Sequence, residues 1–132
     1  MTADKLEAGW NARDGRAVAE AFTTDGVRHE FALPGALLEG REAIAAQAQA
    51  YIDAVPDCTL GIRSVSQSDD SHLIVEWTWR GTQTRDLPGL PARGQAVALD
   101  GVSVCEMEGD LIREERVYWD AATLLAAAGV LG

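Results

Sequence analysis

Pro56 divides the chain into two textures, and that division limits the fold more than any other feature. In the segment that runs up to it, apolar residues recur at helical spacing; after it, apolar and polar residues alternate for about half the chain. "CTLGIRSVSQ" and "SHLIVEWTWRGTQT" read as two strands joined through the polar turn Gln67-Ser68-Asp69-Asp70-Ser71. "DLPGLPARG" holds two prolines and two glycines, so it reads as a loop. "QAVALDGVSVCEME" resumes the alternation, Gly109-Asp110 turns the chain, and "LIREERVYWD" returns as the last strand.

Upstream, "TADKLEAGWNARD" places Ala3, Leu6 and Trp10 on one helical face. Asp14 is set to N-cap a second helix, "GRAVAEAFTTD", with Val18, Ala21 and Phe22 inward. "GVRHEFALPG" suits a first strand closed by a Pro34-Gly35 turn. Gly40 then precedes the helix "REAIAAQAQAYIDAV", with Ile44, Ala48, Tyr51 and Ile52 on its inner face. "AATLLAAAGVLG" closes the chain as a short helix that Asp120 can cap. The order predicts an α+β fold in which a curved, mostly antiparallel sheet wraps around three N-terminal helices, with residues 1–132 as one domain.

A formal net charge of −10, with 21 acidic against 11 basic residues, argues against nucleic acid and anionic membrane as partners. Cys58 and Cys105 form no metal-ligand spacing with His29 and His72 and read as buried free thiols of a cytoplasmic protein. There is no signal-peptide pattern and no apolar run of spanning length. No cofactor motif is present, which favours proton-transfer chemistry by side chains alone.

The last strand carries the charged residues that could do such chemistry. Strand alternation puts Ile112, Glu114, Arg116, Tyr118 and Asp120 on one face, and Leu111, Arg113, Glu115, Val117 and Trp119 on the other. An Asp120 carboxylate in an apolar cavity would be raised toward neutrality by desolvation and lowered by Arg116 on the same face. The competing reading makes Glu114 and Arg116 a surface ion pair and Asp120 a helix cap. His29 can be a proton shuttle or an ordinary strand histidine, and Tyr51 can be an oxyanion donor or amphipathic core. Trp10 and Phe22 are expected in an apolar pocket wall, with Trp77 and Tyr118 as further ligand contacts. Asp100-Gly101 reads as a β-bulge and His72 as solvent-exposed.

Four segments, "WNARDGRAVAEAFTTDGV", "LLEGREAIAA", "VEWTWRGTQTRDLPGLPARGQAV" and "GDLIREERVYWDAATLLAAAG", carry a resemblance over nearly the whole chain. They resemble the SnoaL-like polyketide cyclase branch of the nuclear transport factor two-like superfamily, a cone-shaped fold shared with ketosteroid isomerase, scytalone dehydratase and limonene epoxide hydrolase. The resemblance implies a pocket between sheet and helices for a hydrophobic, carbonyl-bearing small molecule, and a homodimer formed through the sheet. It implies Asp120 as acid/base in an aldol closure; the reading of the residues adds Glu114 and Arg116 as groups that tune it and Tyr51 or His29 as assisting groups. Arg116 stands where that family has an aromatic residue, and Gln83 where it has a histidine. Two alternatives stay open: water activation by an Asp/Glu-Arg set, as in epoxide hydrolysis, and a non-catalytic ligand-binding module.

Overall fold

The structure is a computed structural model describing residues 2–32 and 35–130. Among these residues one open, curved sheet runs in the order β2-β1-β6-β5-β4-β3. Its strands are β1 (Phe22–Glu30), β2 (Ala36–Glu39), β3 (Thr59–Asp69), β4 (His72–Thr82), β5 (Ala96–Glu108) and β6 (Leu111–Trp119). Helices α1 (Thr2–Asn11), α2 (Gly15–Ala19) and α3 (Arg41–Ala54) precede β3, and α4 (Ala121–Ala127) follows β6. None of the described helices is long and apolar enough to cross a membrane. The α+β architecture matches the expectation from sequence. The sheet is antiparallel except between β1 and β6, which run parallel.

Local departures from the expectation begin at the second helix. The second helix stops at Ala19 instead of continuing to residue 25, because Phe22 is fully buried and already pairs with Ile112 in the sheet. Thr23 and Thr24, β-branched and poor helix formers, follow it in an irregular stretch of β1. The short strand β2, in "ALLE", has no periodic signal in the sequence, since four residues are too few to show one. Of the expected Pro34-Gly35 turn, Pro34 lies outside the described residues.

Asp14 does cap α2, accepting from the amides of Arg16 and Ala17. Helix α1 is held over the edge strand by its own side chains. Asn11 donates to the Leu60 carbonyl at 3.0 Å and accepts from the Leu60 amide at 2.7 Å, while Glu7 accepts from the Ile62 amide at 3.0 Å. These contacts occupy part of the otherwise unpaired edge of β3. They also turn Leu6 and Trp10 toward the concave face, where Trp10 meets Trp79 edge-on with centroids 6.1 Å apart.

Asp100-Gly101 is not a bulge: β4 and β5 pair without a register shift from Thr82↔Ala96 to His72↔Glu106. Gly101 is needed for close approach instead. A Cβ there would lie 2.2 Å from the Trp77 ring, so the glycine lets the indole lie against β5, where its Nε1 donates to Ser103 Oγ at 3.0 Å. The β5/β6 ladder does carry a bulge, on β6, where Arg113 is the extra residue between the pairs Glu106↔Glu114 and Met107↔Ile112. It lets both Ile112 and Glu115 face inward although they are three residues apart.

Gly101→Ala must lift the indole off the strand and is expected to cost about 1–3 kcal/mol. A urea titration that leaves the unfolding midpoint unchanged would contradict this packing.

Candidate active site

The concave face of the sheet and the helices enclose a cavity of about 290 Å³. Its walls are mostly apolar and include Leu6, Leu60, Leu99 and Leu124, together with all four tryptophans of the chain: Trp10, Trp77, Trp79 and Trp119. Leu87, Pro88 and Leu90 come from the proline-rich loop. That loop is shaped by Gln83, which is buried and donates to the carbonyls of Arg85 (3.0 Å) and Leu90 (2.8 Å) while accepting from Gln95 (2.9 Å). Gln83 therefore has a positional task in the cavity wall.

One wall is polar. Parallel pairing sets Arg28 of β1 directly opposite Glu115 of β6, with Glu30 two residues along the same face. Arg28 Nε donates to Glu115 Oε1 at 3.1 Å, and its Nη1 donates to Glu30 Oε2 at 2.8 Å and to Gln47 Oε1. Tyr51 of α3 donates its hydroxyl to Glu30 Oε1 at 2.7 Å. All three charged groups are buried. Burial alone would lower the Arg28 pKa, but the Glu115 and Glu30 carboxylates outweigh it and hold the guanidinium above its ordinary value. Burial first, then the negative charge of Glu30, pushes Tyr51 well above the usual tyrosine range, so it remains a donor.

The bonds are unevenly shared. Both oxygens of Glu30 are occupied, whereas Glu115 Oε2 and Arg28 Nη2 have no hydrogen-bond partner among the described residues. Glu115 thus combines one anchored oxygen with one available acceptor beside a free guanidinium edge. Such a pair can take a proton and stabilise a neighbouring negative oxygen. Among the described residues no group of three His, Cys, Asp or Glu is arranged to hold a metal ion.

Of the residues singled out from sequence, Tyr51, Trp10 and Trp77 line this cavity. Phe22 is fully buried in the core and is not a lining residue. The rest lie elsewhere. Asp120 is exposed at the N-cap of α4, accepting from the Thr123 amide (3.1 Å) and hydroxyl (2.5 Å). The Thr123 contacts hold its pKa below the ordinary carboxylate value, the reverse of the shift expected in an apolar cavity. Glu114 and Arg116 form a 2.8 Å ion pair with about a third of each side chain exposed, on the outer face of the sheet. His29 and Tyr118 share that face in an aromatic row, with His29 and Phe31 centroids 3.9 Å apart and Phe31 stacked on Tyr118 at 4.9 Å. His72 is only half-exposed and pairs with Asp69 at 2.9 Å.

Sequence reasoning missed Arg28, Glu30, Gln47, Ser103 and Glu115. In "VRHEF" the apolar Val27 and Phe31 share the His29 face, so patterning favours the wrong side. The available signal was the complementary pair of charge sets on strands that could become neighbours.

The family model described as SnoaL-like polyketide cyclase matches residues 1–128. No curated protein shows significant sequence similarity to the chain. Among solved structures, TsrD from Streptomyces laurentii superposes with a TM-score of 0.85 at 20% identity, covering 98% of this chain and 93% of that one. IdmH from Streptomyces antibioticus, described as a candidate polyketide cyclase, gives a TM-score of 0.79 at 24% identity, covering 98% and 96%. A protein with a ketosteroid isomerase-like fold from Catenulispora acidiphila gives 0.82 at 20% identity, covering 98% and 92%. These likenesses show the fold.

Arg28→Leu would leave two carboxylates buried without a counter-charge and is expected to cost about 3–5 kcal/mol. Adding Glu30→Gln and Glu115→Gln should restore most of that stability, and a urea midpoint unmoved by Arg28→Leu would refute the pairing.

Proposed function

Because the chain belongs to the SnoaL-like polyketide cyclase family, which supports a cyclase- or isomerase-type function, we propose that it is a cofactor-independent acid/base enzyme. Its substrate in this reading is a hydrophobic, carbonyl-bearing small molecule. The observation that carries the reading is a single polar wall in an apolar cavity, holding Glu115 with one anchored and one available oxygen. The role expected of Asp120 passes to Glu115, since the Asp120 carboxylate is engaged with Thr123 outside the cavity.

In the first step Glu115 takes a proton from the carbon next to the carbonyl, so a C–H bond breaks and a carboxyl O–H forms. The electron pair moves onto the carbonyl oxygen, which the free Arg28 edge stabilises. Returning the proton to a different carbon isomerises the substrate. Attack of the enolate carbon on a second carbonyl closes a ring, and Glu115 then protonates the new alkoxide. Tyr51 and Gln47 act on Glu30 and Arg28 and keep the guanidinium in place.

A second reading, epoxide opening by an activated water, is favoured by the carboxylate-arginine-carboxylate set of Glu30, Arg28 and Glu115. Exchange of solvent deuterium into 2-tetralone, followed by proton NMR, tests the first reading, and diol formation from styrene oxide tests the second. Glu115→Gln is expected to reduce the active reaction by about 10²–10⁴-fold, while Asp120→Asn leaves it near wild type. The opposite pattern would return the role to Asp120. Retention of the ketone without exchange or hydrolysis would make the cavity a binding site only.

The outer face supports a homodimer through the sheet. Phe31, Leu37, Ile74 and Tyr118 are each more than a third exposed there, and a second copy would bring the same patch to meet them. Sedimentation velocity should give a dimer that Tyr118→Glu converts to monomer; a monomeric wild type would overturn this assignment.

A further inference from the structure

Among the described residues Ser103 is the one hydroxyl that the strands contribute to the cavity, and only 1% of the residue is exposed. Its oxygen accepts from Trp77 Nε1 at 3.0 Å, and among the described residues it has no other hydrogen-bond partner. A serine hydroxyl carries one donor as well as its acceptor lone pairs. Here the acceptor side is engaged and the donor is not. A buried polar hydrogen without an acceptor is costly, so its natural direction is toward the space the residue lines. The indole that fixes the oxygen cannot easily move, because it lies against Gly101 with its ring where a Cβ would be.

The location gives that donor a use. Cys105 pairs with Glu115 across the β5/β6 ladder, and Ser103 is the next residue on the same inward face of β5. Ser103 and Glu115 are therefore diagonal neighbours, with Cα atoms about 7–8 Å apart by sheet geometry. We propose that Ser103 is a ligand-binding donor that hydrogen-bonds an acceptor oxygen of the substrate and orients it toward Glu115, with Trp77 as its positioning residue. The inference rests on the cavity being the substrate site. It adds a second polar station, on the sheet floor, to the Arg28 wall.

Two ring systems of similar shape separate the donor from simple apolar binding: 2-acetylnaphthalene, which offers a carbonyl oxygen, and 2-isopropylnaphthalene, which does not. Equilibrium dialysis should show that Ser103→Ala weakens retention of the ketone by about three- to tenfold, the worth of one neutral hydrogen bond. Retention of the hydrocarbon should not change. The Trp77→Phe/Ser103→Ala double variant removes both partners, so no indole N–H is left unpaired, and compared with Trp77→Phe alone it should show the same selective loss of the ketone. An equal loss for both probes, or none for either, would overturn the role of Ser103. If the wild type retains neither probe, the reading of the cavity itself fails, and this inference fails with it.

Discussion

The parallel pairing of β1 with β6 is the constraint on which the rest of the site depends. It sets Arg28 beside Glu115 and lets Glu30 follow on the same face. Each of these groups alone would be costly to bury, because an unpaired charge loses its hydration without compensation. Together, with Tyr51 and Gln47 supplied by α3, they form a connected cluster in which the guanidinium bridges two carboxylates. Two carboxylates against one guanidinium leave an excess negative charge facing an apolar space. That arrangement is a poor way to gain stability and a good way to hold a base.

The apolar remainder of the cavity supports this arrangement. Tryptophans from α1, β4 and β6 surround the polar wall, and Gly101 makes room for one of them to lie against the sheet. Water-poor surroundings strengthen the fields of Arg28 and Glu115. The loop held by Gln83 adds Leu87, Pro88 and Leu90 to the walls. In this chain Gln83 organises the wall by satisfying backbone carbonyls, a task its amide can perform because it both donates and accepts.

Much of the architecture was legible from patterning. The long alternating runs after Pro56 became β3 to β6, the period of "REAIAAQAQAYIDA" became α3, and Asp14 and Asp120 cap the helices that follow them. Patterning overextends the second helix because Ala21 and Phe22 also fit a helical face, until pairing with β6 claims Phe22. The site was less legible for a related reason. On β1 and β6 the usual rule is inverted: Phe31 and Tyr118 lie outside, while Arg28, Glu30 and Glu115 lie inside. The Arg113 bulge adds a phase change that uniform alternation cannot show.

By itself the sequence determined the α+β class, the order of the long elements and the acidic character of the chain, because period and charge are local properties. Only the tertiary structure decided which side of "REERVYWD" meets the cavity. Glu114 and Glu115 are adjacent and chemically alike, and local patterning cannot choose between them. The choice falls to Glu115 because Arg28, 87 residues away, can neutralise it inside the cavity, whereas Glu114 finds Arg116 in partial contact with water.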